Sequence, residues 1–197
     1  MVIDRKELKT AARLQIKGNV GTFFGLSIVF LIISGLSLPI TVVGPLILQG
    51  PLELGLALFM IEVVRTQRGK FNTGFKGFKQ FGSAFIALLL MKIFVFLWSL
   101  LFYIPGIIAR LRYSMTYYII ADNPDISGGE AIGKSKEMMK GHKWELFVLL
   151  LSFFWWYVLC IITFGLASIY VSPYINAALV NYYEKLKSES IIENCQN

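Results

Sequence analysis

Residues 82–104 read GSAFIALLLMKIFVFLWSLLFYI, and this stretch carries one charged side chain, Lys92. A helix needs about 20 consecutive apolar residues to cross the hydrocarbon core of a bilayer. Two further stretches, 20–43 and 146–171, are as long and contain no charged side chain. The sequence therefore predicts a protein whose helices cross a membrane.

The composition agrees with this prediction. Of the 197 residues, 56% are hydrophobic and 16% are charged, and the mean hydropathy is +0.64, whereas about 25% of the residues of a soluble domain are charged. The net charge is +7, which argues for nucleic acid only if the basic residues form one patch. Most of them lie instead in short stretches that flank the apolar ones, namely 1–19, 65–81, 122–144 and 185–197.

Basic flanks are typical of loops that stay on the cytoplasmic side of a membrane. We therefore expect a multi-pass protein of the cytoplasmic membrane, with both termini in the cytoplasm, membrane lipids as partners and no nucleic acid. The N-terminal stretch is too long and too basic for a cleavable signal peptide.

Each long apolar stretch is followed by a shorter one that begins at a proline. The shorter stretches are 51–64, 105–121 and 173–186. Proline suits the first turn of a helix, where its missing N–H costs nothing. The predicted fold is an all-α bundle of six membrane helices, arranged as three hairpins with a long outward and a short returning helix, plus cytoplasmic amphipathic helices.

Matched spacings indicate an internal repeat. Glu7 and Gly18 are as far apart in the sequence as Glu130 and Gly141 are. Pro51 and Glu62 are likewise as far apart as Pro173 and Glu184. We interpret residues 1–187 as one membrane domain with three units, 1–65, 70–122 and 127–187. A polar tail, 188–197, follows.

Two segments have the apolar spacing of amphipathic helices. The apolar positions are Leu8, Ala12 and Ile16 in segment 3–17, and Ala131, Met138 and Met139 in segment 127–140. Such helices lie in the membrane interface with basic residues toward the head groups, or they pack on the end of the bundle. The spacing is compatible with both.

Residues 128–135 read GGEAIGKS and match the pattern of a phosphate-binding loop. That loop needs a buried strand before it and a helix that starts at Gly-Lys. Here Ser127 and Glu130 form a capping box, which predicts that the helix starts at Ser127 and places Gly133 in its interior. The motif therefore argues for a helix rather than for a nucleotide site.

Ionisable side chains inside membrane helices are candidate functional residues, because they are costly there. The candidate intramembrane polar site consists of Glu53, Lys92, Arg110, Arg112, Tyr113, Tyr117, Asn176 and Glu184. Glu53 and Arg110 each follow a proline closely, so we expect them to pair. Lys92 lies near mid-depth, with Glu62 and Glu184 as candidate partners. These residues either lock helices together or line a polar pathway or anion site around Arg110 and Arg112.

The chain shows no catalytic or metal-binding constellation. Cys160 and Cys195 lie in different environments, which argues against a disulfide, and they do not have metal-ligand spacing. The single His142 lies beside Lys143 and Trp144, and we interpret it as an interface residue rather than a metal ligand. We therefore predict a protein that is not an enzyme and has no cofactor or metal. The tryptophans are expected at lipid-facing or interfacial positions.

Several short runs resemble one known family. They are 50–55 (GPLELG), 104–108 (IPGII), 121–127 (ADNPDIS), 139–144 (MKGHKW) and 173–178 (PYINAA). Together they resemble a bacterial family of integral membrane proteins catalogued as domain of unknown function 975, over nearly the whole chain. Residues 105–144 are more distantly similar to the membrane domain attached to some glycerophosphodiester phosphodiesterases, whose active site lies in another domain. The resemblance implies a fold and a bacterial cytoplasmic membrane, but no activity.

Two functions are compatible with these observations. The first is a non-catalytic membrane module that engages lipids, a membrane-protein partner or a second copy of itself. The alternative is a small transporter or exporter component with a polar site around Arg110.

Overall fold

The computed structural model describes residues 5–36, 43–101 and 103–196, and this part of the chain is helical and contains no strand. The helices in chain order are α1 (Arg5–Gln15), α2 (Val20–Leu36), α3 (Val43–Thr66), α4 (Phe71–Phe75), α5 (Phe81–Leu101), α6 (Tyr103–Arg112), α7 (Thr116–Asp122), α8 (Gly128–Met138), α9 (Lys143–Leu151), α10 (Phe154–Ile162) and α11 (Ser168–Gln196). A 3-10 helix, Lys76–Gln80, joins α4 to α5. The predicted all-α class is confirmed.

Three helical segments are long and apolar enough to cross a membrane. They are Ile47–Thr66, Phe71–Ser99 and Lys143–Ile162, and a fourth is added if α1 and α2, which meet at 84°, form one bent span. Most of Ile47–Thr66 is buried, whereas the other two expose most of their apolar side chains. So α3 lies inside the bundle, and α5, α9 and α10 present the outer apolar surface that suits a membrane protein.

The scheme of long outward and short returning helices is wrong for two of the three units. Helix α3 has 24 residues against 17 for α2, and α11 has 29. Pro51 and Pro173 lie inside these helices rather than at their starts. A proline removes one backbone hydrogen bond, and helices in membranes tolerate this where neighbours compensate. Residues 44–50, which separate the first long apolar stretch from the shorter one in the sequence, belong to α3, and residues 37–42 lie outside the described residues.

The second unit forms the expected hairpin, but its returning helix is interrupted by a turn. A Cβ on Gly106 would contact Ser99, and the rings of Phe94 and Tyr113 lie 6.0 Å apart. From the first contact to the second, the residue number rises on the α6 side, toward Tyr113, and falls on the α5 side, from Ser99 to Phe94. The two helices are therefore antiparallel. Pro105 lies in the first turn of α6, close to the predicted start. A turn over 113–115 then separates α6 from α7.

Glycines set the close approach of α3 to the segment that follows it. A Cβ on Gly55 would overlap the carbonyl oxygen of Gly74, and one on Gly77 would overlap that of Pro51. A Cβ on Gly50 would lie 2.8 Å from the carbonyl oxygen of Ala84. Segment 69–84 therefore runs antiparallel along α3, and its α4 and 3-10 helix pack on α3.

Helices α1 and α8 pack on the bundle through their apolar faces, as one of the two interpretations of the amphipathic segments predicts. Leu8, Ala12 and Ile16 are buried, as their spacing predicts. In α8 the buried residues are Gly128, Ala131, Ile132 and Ser135, with Met139 just after the helix, while Met138 is half-buried. Both helices keep basic side chains exposed on the opposite face.

The residues of the phosphate-loop pattern lie in α8. The Ser127 hydroxyl accepts a hydrogen bond from the Glu130 amide at 3.2 Å and caps the helix. The Glu130 carboxylate pairs with Lys134 at 3.3 Å. The backbone amides that a phosphate-binding loop would present are therefore hydrogen-bonded within α8 and its cap, as the capping pattern predicts.

Two glycines end the helices that begin the first and third units. Gly18 follows α1 with a φ of 85°, and Gly141 follows α8 with a φ of 82°. Both values lie in the left-handed region that favours glycine. The equal backbone geometry at equivalent positions supports the proposed repeat, whose unit boundaries remain a prediction.

Candidate functional site

A polar chain of three side chains connects α3 to α5 within their apolar sequences. The Gln49 amide nitrogen donates to Glu53 Oε1 at 2.7 Å. The amide oxygen of Gln49 accepts from Lys92 Nζ, also at 2.7 Å. A neutral amide thus lies between a carboxylate and an ammonium group and hydrogen-bonds to both, which reduces the cost of placing these charges in an apolar setting.

Tyr117 of α7 lies next to this chain. Its hydroxyl is close to the Glu53 carboxylate, and its oxygen is buried without a hydrogen-bond partner among the described residues. The structure therefore brings together three predicted site residues, Glu53, Lys92 and Tyr117. Gln49 was missed because it is uncharged, although its position one helical turn before Glu53 was a usable signal.

The expected ion pair between Glu53 and Arg110 is wrong. Glu53 accepts from Gln49 instead, and Arg110 is exposed on α6. The physical reason is that α6 packs along α5 rather than along α3. Lys92 likewise binds Gln49 rather than Glu62 or Glu184.

The remaining predicted residues are dispersed. Tyr113 is buried against Phe94, and Asn176 donates to the Ser172 carbonyl in its own helix at 2.9 Å. Arg112 accepts a hydrogen bond from Ser135 through its backbone oxygen at 2.9 Å. These contacts do not involve the polar chain, and the polar pathway or anion site around Arg110 and Arg112 remains a prediction.

A second polar group joins the ends of α3 and α7 to α11, and we call it the Asp122 cluster. Its members are Arg65, Asp122, Tyr183, Glu184 and Lys187. Arg65 Nη2 lies 2.9 Å from Asp122 Oδ1, the Tyr183 hydroxyl donates to Oδ2 at 3.0 Å, and Lys187 also pairs with Oδ2. Arg65 Nε donates to Glu184 Oε1 at 2.7 Å.

The electrostatics of the cluster centre on Asp122, which lies outside the candidate spans. Its side chain is 6% exposed, whereas that of Arg65 is 40% exposed. Burial opposes ionisation of the carboxyl group, but hydrogen bonds from Arg65, Lys187 and Tyr183 outweigh it and hold the pKa of Asp122 below its usual value. Two cations and two carboxylates thus balance each other and fasten three helices together.

The cluster also relates the predicted units to each other. Arg65 and Lys187 follow the prolines of their helices, Pro51 and Pro173, at the same spacing. Both bind the carboxylate at the end of α7 in the middle unit. Arg65, Asp122 and Lys187 directly follow the three shorter apolar stretches in the sequence, but the sequence did not predict that they meet. Of this cluster, only Glu184 was among the predicted site residues.

Comparison with known proteins identifies a family. The model of the family described as Protein of unknown function (DUF975) matches residues 1–109 and 100–190. No curated protein and no solved structure matches the chain. The distant similarity to the membrane domain attached to glycerophosphodiester phosphodiesterases remains a prediction. Since the two matches together cover nearly all of the sequence, the chain belongs to the DUF975 family of proteins of unknown function.

Proposed function

We propose that this protein is a non-catalytic, multi-pass protein of the bacterial cytoplasmic membrane that engages membrane lipids. The observation that carries the proposal is the outer surface of α5, α9 and α10. Its large apolar side chains are exposed, among them Phe96, Trp155 and Ile161. Lipid acyl chains are the surroundings in which such a surface is stable.

Exposed basic side chains also favour contact with membrane lipids. Arg13 and Lys17 are exposed on and just after α1, and Lys134, Lys136 and Lys140 are exposed on and just after α8. Each basic residue near an anionic membrane surface contributes about 1 kcal/mol of attraction. The positive-inside rule places these residues, and both termini, in the cytoplasm.

Lipid retention tests the proposal. The full chain is purified in nanodiscs, released into gentle detergent and analysed by native mass spectrometry, where we expect phospholipid adducts. A variant with Lys134→Gln, Lys136→Gln and Lys140→Gln should retain less phosphatidylglycerol, and a variant with Glu137→Gln, on the same helix, should not. Absence of adducts from the unmodified protein contradicts the proposal, as does phospholipid turnover.

The polar chain of Gln49, Glu53 and Lys92 favours a second candidate, a transporter or exporter component. Ionisable residues on apolar helices mark ion and proton pathways. The test is proton flux into proteoliposomes that contain a pH-sensitive dye. Transport predicts flux that Glu53→Gln abolishes while the protein remains folded. Absence of flux from the unmodified protein would leave the polar chain a structural connection.

A further inference from the structure

We propose that a cleft between α1, α9 and α11 binds the head group of a zwitterionic aminophospholipid, with Arg5 holding the phosphate and Glu145 with Trp144 holding the ammonium group. We call it the Trp144 cleft. The inference rests on the proposed function, because it specifies one class of lipid and one place on the protein.

The size of the cleft suits a head group. Its volume is about 260 Å³, and its lining residues are Arg5, Leu8, Trp144, Glu145, Val148, Leu149 and Tyr182. Sites for drug-sized ligands have volumes of about 300–1,000 Å³. The Trp144 cleft is smaller than these and is open to the outside, which fits one polar end of a molecule whose remainder lies elsewhere.

The charges of the lining select a zwitterion. One cation, Arg5, and one anion, Glu145, line the same cleft. Guanidinium groups bind phosphate with paired N–H donors, and a carboxylate accepts hydrogen bonds from an ammonium group. A ligand with a negative charge only would pair with Arg5 but would offer no cation to the Glu145 carboxylate. A head group that carries a phosphodiester and a primary amine satisfies both side chains.

Trp144 adds a second contact for the ammonium group. Its side chain is 71% exposed and is stacked on Phe147, with ring centroids 5.5 Å apart and planes at 26°. One face of the indole is thus supported by the helix, and much of the ring is available to a ligand. A cation over a tryptophan face gains about 0.5–1 kcal/mol at an exposed site.

The acidic side of the cleft is fixed by its neighbours. Glu145 Oε2 lies 3.1 Å from His142 Nδ1. The carbonyl oxygen of His142 accepts from the Tyr182 hydroxyl of α11 at 2.9 Å. These bonds hold the start of α9 against α11, so Glu145 is oriented before a ligand arrives. Preorganisation of this kind lowers the cost of binding.

The apolar side of the cleft leads to the membrane. Leu8, Val148 and Leu149 line it, and Lys143–Ile162 is one of the segments long enough to cross a bilayer. Trp144 lies at the start of this segment, which is where tryptophans meet lipid head groups. A head group in the cleft therefore places its acyl chains along the apolar surface of α9 and α10.

The test compares two lipids that differ in the amine. The full chain is reconstituted in nanodiscs with equal amounts of phosphatidylethanolamine and phosphatidylglycerol, and retained lipid is counted by native mass spectrometry after release into detergent. We expect enrichment of phosphatidylethanolamine of about fivefold. Soluble glycerophosphoethanolamine, added in a parallel sample, should bind too weakly to form an adduct, because it lacks the acyl chains.

Variants connect the enrichment to the cleft. The enrichment of phosphatidylethanolamine should fall to about twofold or less in Trp144→Leu and in Glu145→Gln. Glu145→Lys should turn the preference toward phosphatidylglycerol. Trp155→Leu is the matched control, because Trp155 is 77% exposed and lies outside the cleft. Arg5→Gln should lower the retention of phosphatidylethanolamine, and Arg68→Gln is its control, because Arg68 is exposed and lies outside the cleft.

The possible failures are distinguishable. Retained phospholipid without an ethanolamine preference, or a preference that Glu145→Lys leaves unchanged, overturns the cleft assignment and leaves the proposed function intact. Absence of any retained phospholipid overturns both. Adducts of soluble glycerophosphoethanolamine that Arg5→Gln removes would show that the ligand is a free phosphodiester rather than a lipid, and would overturn the assignment to a membrane lipid.

Discussion

Asp122 lies at the centre of the Asp122 cluster. It accepts from Arg65, Tyr183 and Lys187. Asp122→Asn leaves two cations without their shared counter-charge, and breaking a buried pair in this way is destabilising. Because the cations are partly exposed to solvent, we expect a loss of about 1–3 kcal/mol. Thermal unfolding of the detergent-solubilised protein measures it.

Asp125→Asn is the matched control for this substitution. Asp125 follows Asp122 closely in sequence but is exposed, and exposed charges contribute little to stability. Equal melting temperatures for the two variants would show that the Asp122 cluster does not hold the helices together.

The same carboxylate makes stability depend on pH. Its pKa is lower in the folded chain than the value of about 3.9 of an unfolded aspartate, so the unfolded state binds the proton more readily. The stabilisation is fully present above about pH 4 and is lost as the pH falls through the lower folded-state value. The difference in stability between the unmodified protein and Asp122→Asn should therefore shrink on acidification, as followed by tryptophan fluorescence. A difference that grows on acidification contradicts this assignment.

At the scale of elements, α3 and the segment 69–84 depend on glycine. A side chain at Gly55 would overlap the backbone of Gly74, and backbone atoms cannot move aside as the end of a side chain can. We expect Gly55→Ala to destabilise the protein by about 1–3 kcal/mol and to lower its melting temperature by roughly 3–10 °C.

Gly133→Ala provides the opposite control. Gly133 lies inside α8 with open space around it, and alanine favours a helix interior by about 1 kcal/mol over glycine. This variant should be as stable as the unmodified protein or more stable. Loss of stability in Gly133→Ala but not in Gly55→Ala would contradict the close approach of α3 and α4.

The glycines that end α1 and α8 test the repeat. Gly18→Ala and Gly141→Ala force a side chain into the left-handed region, which costs roughly 1–2 kcal/mol. A Cβ meets nothing within 4 Å at either position, so backbone strain is the main effect, and the two losses should be similar. A large cost at one site and none at the other would argue against equivalent units. Chemical denaturation of each variant provides the comparison.

Local patterns were readable from the sequence, and long-range partners were not. The spacing of Leu8, Ala12 and Ile16 predicts the buried face of α1, because burial follows the helical period. The partner of Lys92 depends on how α5 crosses α3, which is set by glycine contacts between distant segments. The prolines led to wrong predictions of two helix starts. Pro51 and Pro173 are tolerated inside long helices, so they do not mark where those helices begin.

At the scale of the whole molecule, the first and last helices are neighbours. The side-chain amides of Gln15 in α1 and Asn181 in α11 exchange hydrogen bonds of 3.1 and 2.7 Å. Leu8 and Ala12 of α1, and Ile16 just after it, are buried in the same core as Tyr182 and Leu186 of α11. We therefore expect α1 and the end of α11 on the same side of a membrane, and the positive-inside rule predicts that this side is the cytoplasmic one.

Cysteine labelling tests this arrangement in cells. In a chain with Cys160→Ser and Cys195→Ser, single cysteines are placed by Arg13→Cys, Ser188→Cys or Phe164→Cys, all at exposed positions. Phe164 follows α10, at the far end of the segment that begins at Lys143. A membrane-impermeant maleimide should label the Phe164→Cys chain in intact cells and the other two only after permeabilisation. Labelling of Arg13→Cys and Ser188→Cys from opposite sides would separate α1 from α11 and contradict the hydrogen bonds between Gln15 and Asn181.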